Sequence, residues 1–240
     1  MAAELKVVRP ELRVVLAHSR SQLLSAEPLP DSTRECVLDA VVRSGVEVLL
    51  NHRLESQTPA TTASGAAVQQ VTFENGSTML ASEVIFAVSK SVPSTGFLPA
   101  EALNEEGYVN ILPTLQFQPF PLSSPSLSDE DQSAAELVSR WHFAVGDVIN
   151  WSGIKRCGSA MHTGKFAGLN MYQLMLEDLA PGQHHPRTAE LFKLDPVPPM
   201  IAIAVGKEAV AYGPDGMTHG PQIMRSYFEE DLGFRSKFAC

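Results

Sequence analysis

The order of apolar and amphipathic segments in the first fifty residues constrains the fold more than any other feature of this sequence. Residues 12–17 (LRVVLA) and 46–50 (VEVLL) are short β-rich apolar runs, typical of buried strands. Between them, Asp31 offers an N-cap to a helix whose apolar positions keep a three- and four-residue spacing until Gly45. Strands joined through a helix pair in parallel, so this order predicts an α/β fold.

The middle of the chain adds three further predictions. Residues 68–80 predict a β-hairpin, because Asn75-Gly76 supplies the positive φ angles of a tight turn. Residues 84–88 (VIFAV) predict another buried strand. Residues 119–134 (PFPLSSPSLSDEDQSA) are rich in Ser, Pro and acidic side chains without an apolar period, so we expect a mobile surface loop there.

The segment His142–Gly153 (HFAVGDVINWSG) is a short apolar run that ends in a Gly-Asp pair, and we expect the run to be a buried strand. A long helical pattern follows, and it should present one continuous face formed by Ala160, Gly164, Ala167, Met171 and Leu174. From Pro196 onward, two apolar runs and an amphipathic stretch predict a small C-terminal α+β region.

Composition excludes several classes of function. A net charge of −9 and a pI near 5.2 argue against binding to nucleic acid or to anionic membranes. The longest apolar run, residues 200–205, is far shorter than the roughly 20 residues of a membrane-spanning helix, and no targeting signal is evident. Three cysteines without a C-x-x-C or metal-ligand spacing are typical of a reduced, cytoplasmic protein.

The Gly146-Asp147 pair follows a predicted strand, and ligands of doubly wound α/β folds bind outside the carboxyl ends of the strands. A carboxylate there can accept hydrogen bonds from the hydroxyl groups of a ribose or ribityl chain, while glycine permits close approach. The alternative is that Asp147 only caps a turn before the following helix. The dipeptide alone leaves both interpretations open.

Four stretches in the same order resemble the FAD-dependent pyridine nucleotide-disulphide oxidoreductases, most closely the apoptosis-inducing-factor-like branch with the ferroptosis suppressor proteins. The stretch from FAVGDV to AMHTGKFAGLNM is similar to the second FAD-contacting segment of that family. The other three are LRVVLAHSRSQLLSAEPLPD, SEVIFAVSKSVPSTGFL and NEEGYVNILPTLQF. The resemblance implies a partial, two-domain FAD/NAD(P)-binding Rossmann-like fold with a small C-terminal α+β region.

The resemblance also implies a domain organisation. Residues 1–88 would be the remainder of an NAD(P)H-binding domain, residues 89–195 the C-terminal segment of an FAD-binding domain, and residues 196–240 an appendage. No G-x-G-x-x-G occurs in the 240 residues, although the fold needs such a loop for each dinucleotide. We therefore expect that the N-terminal FAD-binding part is absent and that this is a truncated form.

On the flavin side, the resemblance assigns ribityl contacts to Gly146 and Asp147. Lys155 matches a basic residue near the isoalloxazine, where positive charge would favour the reduced flavin. The alternative for Lys155 is an ordinary surface lysine.

On the nicotinamide side, His18 and Arg20 follow the strand at which an acidic residue would bind the ribose of NADH. Arg20 would suit a 2′-phosphate, so NADPH is at least as plausible as NADH, and a plain surface charge is the alternative. Val88 begins the segment where relatives carry Ala-Thr-Gly, and this departure bears on how closely the cofactor can approach.

The activity that the resemblance implies is hydride transfer from NAD(P)H to FAD, followed by electron transfer to a quinone-like acceptor. Without a C-x-x-C, the cysteine relay of the disulfide reductases is not available within this sequence. The alternative function is a non-catalytic remnant that does not retain flavin and acts at most as a protein-interaction module. Apolar strands left without neighbours would then expose apolar surface, which favours the formation of oligomers.

Overall fold

The computed structural model describes residues 1–88, 92–120, 140–179 and 190–229. The chain divides into two compact units, which are residues 1–88 with 199–240, and residues 89–198. Most of the predicted loop at residues 119–134 lies outside the described residues, so that expectation stays a prediction.

The first unit contains three small sheets and three helices in its described part. Its helices and strands are α1 (Ala2–Val8), β1 (Val15–Ala17), α2 (Asp31–Arg43), β2 (Glu47–Leu49), β3 (Leu54–Thr61), β4 (Ala67–Phe73), β5 (Thr78–Ala81), β6 (Ile201–Val205), β7 (Glu208–Gly213), β8 (Gly216–Gly220) and α4 (Pro221–Phe228).

The predicted strand–helix–strand unit is present as β1, α2 and β2. The two strands pair in parallel, with Val15 opposite Glu47 and Ala17 opposite Leu49. Helix α2 begins one residue earlier than expected, since Pro30 occupies the N-cap position and Asp31 is the first helical residue. The carboxylate of Asp31 pairs with the guanidinium of Arg34 at 2.7 Å and caps no backbone N–H.

A single core joins the start and the end of this unit. Strands β6 and β7 contribute to the same buried cluster as α1 and α2, which explains why the C-terminal α+β region needs no separate core. The cluster consists of Ala3, Leu23, Val37, Ala40, Val41, Val46, Val205 and Val210.

The predicted hairpin is confirmed as β4 and β5, and Gly76 has a φ of +81° in the turn. Strand β3 pairs antiparallel with β4 and was not predicted. Its sequence, LESQTPAT, lacks an apolar alternation because most of its side chains are exposed on both faces. Antiparallel pairing with β4, and not burial, therefore holds it in place.

Residues 84–88 do not form the expected strand. No described strand lies alongside them, and Ile85, Phe86 and Val88 are exposed. An apolar run becomes a buried strand only when a neighbouring strand satisfies its backbone groups. The prediction of a strand here is wrong for the described structure.

The second unit packs irregular chain against one long helix, α3 (Cys157–Leu179). The expected strand before Gly146 is only a single antiparallel bridge between Phe143 and Gln116. The backbone turns away at residues 146–148 into a 3-10 turn, which ends the extended run after Val145. The core comprises Ala102, Val109, Ile111, Leu115, Phe117, Ala144, Ile149, Ala167 and Leu194.

Helix α3 is confirmed, but its buried face differs from the predicted one. Thr163, Ala167, Asn170 and Leu174 are buried, whereas Met171 is 42 % exposed. Apolar periodicity predicts that Met171 is buried and that its polar neighbours are exposed. It misses polar residues that are buried because they form hydrogen bonds in the core. None of the helices in the described ranges is long and apolar enough to span a membrane.

Candidate functional site

The Gly146-Asp147 corner is fixed by its contact with the first turns of α3. Gly146 has a φ of +79°, a left-handed conformation that favours glycine. Its backbone N–H donates a hydrogen bond to Oγ1 of Thr163 at 3.0 Å. A Cβ at Gly146 would lie 3.5 Å from Cβ of Ala160, so the backbone of the turn lies directly against the helix.

Thr163 is the residue that sequence reasoning missed at this corner. It is 3 % exposed, and its hydroxyl is directed toward the carbonyl oxygens of Ser159 at 3.0 Å and Ala160 at 3.1 Å. The hydroxyl can therefore donate within the helix while it accepts from Gly146. The signal available in the sequence was a threonine within the small-residue helical pattern.

Asp147 follows Gly146 in the turn, and its side chain is exposed. Among the described residues it has no hydrogen-bond or ion-pair partner. The carboxylate does not cap α3, which begins ten residues later at Cys157. Its acceptor sites are thus free for a group outside the described chain.

A neighbouring extended segment fixes the other side of the corner. Val109 forms a parallel bridge with Ile149, and its N–H donates to the carbonyl of Val148 at 2.9 Å. The N–H of Asn150 in turn donates to the carbonyl of Val109 at 2.8 Å. These bonds hold the residues after Asp147 in a defined direction and bring Tyr108 next to the segment that carries Lys155.

Lys155 is half-buried and oriented by two groups. Its Nζ lies 4.6 Å from the centre of the Tyr108 ring and 3.5 Å from the carbonyl oxygen of Trp151. A cation over an aromatic face is attracted by the ring quadrupole, by about 0.5–1 kcal/mol at an exposed site and more when desolvated. The ammonium group is therefore restrained.

His18 and Arg20 lie in the other unit, after the carboxyl end of β1. Backbone hydrogen bonds connect this loop to the one after β2: His18 N–H donates to Leu49 at 2.8 Å, and His52 N–H to His18 at 2.9 Å. Nε2 of His18 is buried without a partner among the described residues. Arg20 is exposed and forms no ion pair with the described carboxylates.

Val88, the last predicted site residue, is 84 % exposed. Residues 89–91, which follow it, lie outside the described ranges. The structure thus places Gly146, Asp147 and Lys155 on one segment of the second unit, and His18, Arg20 and Val88 in the first unit.

Comparison with known proteins gives one curated relative over almost the full chain. No protein-family model matches the sequence. Oxidoreductase OXR1 of Ajellomyces capsulatus is 42% identical over 237 residues, which is 98% of this chain and 47% of that protein. The chain therefore spans about half the length of the curated relative that it matches.

Solved structures match over most of the chain with low sequence identity. The water-forming NADH oxidase of Lactobacillus brevis, bound to NADH, matches with a TM-score of 0.56 and 13% identity over 87% of this chain and 38% of that one. A FAD-dependent pyridine nucleotide-disulphide oxidoreductase of Desulfovibrio vulgaris has a TM-score of 0.57 and 13% identity over 88% and 44%.

An engineered water-forming NADPH oxidase, derived from the same Lactobacillus brevis enzyme and bound to NADPH, matches with a TM-score of 0.56 over 87% of this chain and 38% of that one. These neighbours are FAD-dependent or pyridine-nucleotide oxidoreductases, as the curated relative is also named an oxidoreductase. The chain accordingly has the mixed α/β fold of part of an FAD/NAD(P)-binding, Rossmann-like oxidoreductase.

Proposed function

We propose that this chain is the part of an FAD-dependent NAD(P)H oxidoreductase that contacts the ribityl chain of the flavin and the adenosine end of the nicotinamide dinucleotide. The observation that carries the proposal is the corner at Gly146-Asp147. A glycine turn packed against a helix presents an exposed carboxylate that no described side chain uses.

The donor and acceptor chemistry of the corner fits a polyol. An ionised carboxylate only accepts hydrogen bonds, and a ribityl chain offers several hydroxyl donors. Hydrogen bonds to a charged group contribute about 1.5–3 kcal/mol each when formed. The carboxylate lies in the 3-10 turn, ten residues before α3 begins at Cys157, so it is not a cap of that helix.

Lys155 supplies a restrained positive charge on the same segment. Tyr108 and the carbonyl of Trp151 hold its ammonium group, so the charge is oriented before any ligand arrives. Bound flavin would supply the redox chemistry, as the acceptor of the hydride from NAD(P)H and the donor of electrons. Lys155 would stabilise negative charge that develops on the ring system.

Arg20 and His18 support a nicotinamide dinucleotide that carries a 2′-phosphate. Residues 17–24 contain no acidic side chain, and Arg20 is exposed beyond the carboxyl end of β1. The engineered NADPH oxidase carries one substitution of an aspartate by alanine and two that introduce arginine. Arg20 would pair with the phosphate, and so NADPH would bind more tightly than NADH.

The electron acceptor in this proposal is quinone-like. The 240 residues contain no C-x-x-C, so an internal dithiol acceptor is not available in this chain. The described residues around the corner place no acid, base or nucleophile in contact with one another. Their contribution is therefore position and electrostatics, which suffices for electron transfer to a small planar acceptor.

A second function is favoured by one specific observation. The 240 residues contain no G-x-G-x-x-G, so they offer no glycine loop to the pyrophosphates of FAD and NAD(P)H. A polypeptide that does not retain flavin and acts at most as a protein-interaction module fits this observation.

Purification of the 240-residue chain separates the two functions. The chain is denatured and the released FAD fluorescence is measured; FAD-supplemented protein is also mixed with NADPH or NADH without oxygen, then with a benzoquinone. The oxidoreductase proposal predicts loss of the oxidised flavin absorbance with NADPH and its return with the quinone. No released flavin, no FAD binding and no bleaching would reject it in favour of the non-catalytic form.

A further inference from the structure

The turn after β2 contains a residue in an unusual backbone conformation. Asn51, the second residue beyond the strand, has a φ of +57°. This left-handed region is disfavoured for residues that carry a Cβ, and asparagine tolerates it better than most of them do. Asn51 is exposed, and within the described ranges its side chain forms no hydrogen bond. Its contribution to the fold is therefore the direction that it gives to the backbone.

This turn directs two consecutive N–H groups toward the loop after β1. The N–H of Asn51 donates to the carbonyl oxygen of Arg20 at 3.0 Å, and the N–H of His52 donates to that of His18 at 2.9 Å. A third bond, from the N–H of His18 to the carbonyl oxygen of Leu49 at 2.8 Å, continues the pairing of β1 with β2 into the same loop. The two loops are thus joined by hydrogen bonds at the carboxyl ends of the strands.

His52 anchors the turn to the β-hairpin of the same unit. Its Nδ1 donates to the carbonyl oxygen of Leu50 at 2.7 Å, across Asn51. The imidazole packs edge-on against the ring of Phe73, with 5.1 Å between the ring centres and 85° between the ring planes. Phe73 lies on β4 and is 3 % exposed. The turn that contacts the Arg20 loop is therefore itself fixed to a buried side chain.

Arg20 depends on this turn for its position. It is exposed and forms no ion pair with the described carboxylates. Among the described residues, the bond from Asn51 is the only backbone hydrogen bond that Arg20 makes. The loop that carries Arg20 runs from the end of β1 to Leu23, which is buried in the core of the unit. Between His18 and Leu23, the contact with Asn51 is what restrains the backbone of Arg20.

We propose that Asn51 is a positioning residue for Arg20 and thereby sets the preference of this site for a 2′-phosphate over a free 2′-hydroxyl group. The inference rests on the proposed function, in which Arg20 binds the 2′-phosphate of the nicotinamide dinucleotide. A guanidinium binds a phosphate through directed hydrogen bonds, so displacement of its loop weakens the pair. Asn51 acts through its backbone, so glycine, which adopts a positive φ freely, can replace it.

The test compares three substitutions that all remove the amide of Asn51 but differ in the backbone conformation that they allow. Asn51→Val strongly disfavours the left-handed region, Asn51→Ala disfavours it less, and Asn51→Gly permits it. The 240-residue chain and each variant are titrated with 2′,5′-ADP and with 5′-AMP, and binding is followed by NMR. The two nucleotides differ only in the 2′-phosphate, and neither contains a pyrophosphate that would need a glycine loop.

Asn51→Val should weaken the binding of 2′,5′-ADP by about five- to tenfold and Asn51→Ala by about threefold, while the affinity for 5′-AMP changes by less than about twofold. Asn51→Gly, the matched control, should bind both nucleotides within about twofold of the wild type. In the Arg20→Ala background, Asn51→Val should cause no further loss of affinity for 2′,5′-ADP. A merely structural role of Asn51 would weaken both nucleotides and would persist without Arg20.

Three results would overturn the positioning role: equal affinities of Asn51→Val and Asn51→Gly for 2′,5′-ADP, equal losses for the two nucleotides in Asn51→Val, or a further loss in the Arg20→Ala background. If Asn51→Val does not fold, Asn51→Ala against Asn51→Gly decides by the same criteria. A wild type that does not prefer 2′,5′-ADP to 5′-AMP would reject the contact with the 2′-phosphate as well. A wild type that prefers it, with variants of residue 51 that bind alike, would reject only the role of Asn51.

Discussion

The backbone N–H of Gly146 donates a hydrogen bond to the hydroxyl of Thr163, and this bond connects the 3-10 turn of the candidate site to the first turns of α3. Thr163 is 3 % exposed, so no solvent can replace its hydroxyl. The position of the Asp147 carboxylate depends on this buried contact, because Asp147 is the next residue in the turn.

Replacement Thr163→Val should lower the free energy of unfolding of the second unit by about 1–3 kcal/mol, because it leaves the half-buried N–H of Gly146 without an acceptor while it keeps the shape of the side chain. Both tryptophans, Trp141 and Trp151, lie in this unit, so tryptophan fluorescence during urea unfolding reports the change. Thr163→Ser retains the hydroxyl and should recover most of the stability. Equal stability of the valine variant and the wild type would show that the bond is dispensable.

Asn170 holds two distant segments against α3. Its Nδ2 donates to the carbonyls of Thr114 and Phe192, both at 2.9 Å, and its Oδ1 accepts from the N–H of Phe192 at 2.8 Å. The residue is fully buried. Asn170→Ala should cost about 2–4 kcal/mol and raise the hydrogen-exchange rate of the Phe192 amide.

The matched control for Asn170 is Asn150→Ala. Asn150 is exposed and pairs with Asn110 at 3.1 Å, so its loss should change stability by at most about 0.5 kcal/mol. Similar exchange at Phe192 in both variants would contradict the role of Asn170.

Glu4 predicts a pH dependence for the first unit. Burial alone would raise the pKa of Glu4, but hydrogen bonds from the N-terminal ammonium group and from the N–H of Gly206 outweigh it and lower the pKa below its ordinary value of 4.5. A carboxyl group with a lowered folded-state pKa stabilises the fold above its ordinary pKa. That stability is lost as the pH falls from about 4.5 through the folded-state pKa.

Glu4→Gln should accordingly be less stable than the wild type at neutral pH, and the difference should shrink below the ordinary pKa. Hydrogen exchange in residues 201–213, corrected for the intrinsic pH dependence, measures it. Glu55→Gln, an exposed carboxyl on β3, is the control and should leave the pH profile unchanged. A constant difference between Glu4→Gln and the wild type from neutral to acidic pH would contradict the assignment.

Arg20→Ala should weaken NADPH binding by about 10- to 100-fold, since a charge-assisted bond contributes about 1.5–3 kcal/mol. NADH binding should change by less than about twofold, because NADH has no 2′-phosphate for the guanidinium to bind. Isothermal titration calorimetry of the whole chain at fixed salt measures both affinities. Arg9→Ala, which replaces an exposed arginine after α1, is the control. An equal loss of affinity for NADH and NADPH in Arg20→Ala would contradict a contact between Arg20 and the 2′-phosphate.

The parts of the fold that sequence predicts are those whose causes are local. The β1–α2–β2 order follows from spacing within thirty-odd residues, and Asn75-Gly76 fixes its hairpin without help from distant residues. Residues 84–88 have the composition of a buried strand, but pairing depends on a neighbour that composition does not reveal. Strand β3 shows the reverse, since pairing with β4 orders a polar sequence.

The candidate site divides in the same way. The Gly-Asp pair was visible because its spacing to the helix lies within one segment of sequence. Thr163 and Asn170 could not be recognised in the same way, because a search for apolar periodicity ignores polar residues. The partners of Asn170 also lie 56 and 22 residues away in the sequence. Lys155 could be singled out by resemblance, yet its contact with Tyr108 needed the structure.

A titration of riboflavin and FAD into the 240-residue chain and its Asp147→Ala variant, followed by flavin fluorescence, tests whether the Gly146-Asp147 corner binds a ribityl chain. Riboflavin carries the ribityl chain without the pyrophosphate, so it isolates the corner from the glycine loops. If the corner binds the ribityl chain, both flavins should bind the wild type, and Asp147→Ala should raise both Kd values by about tenfold or more, with Asp147→Asn between the two. Equal affinities of the wild type and Asp147→Ala for riboflavin, or no binding by the wild type, would contradict this role of the corner.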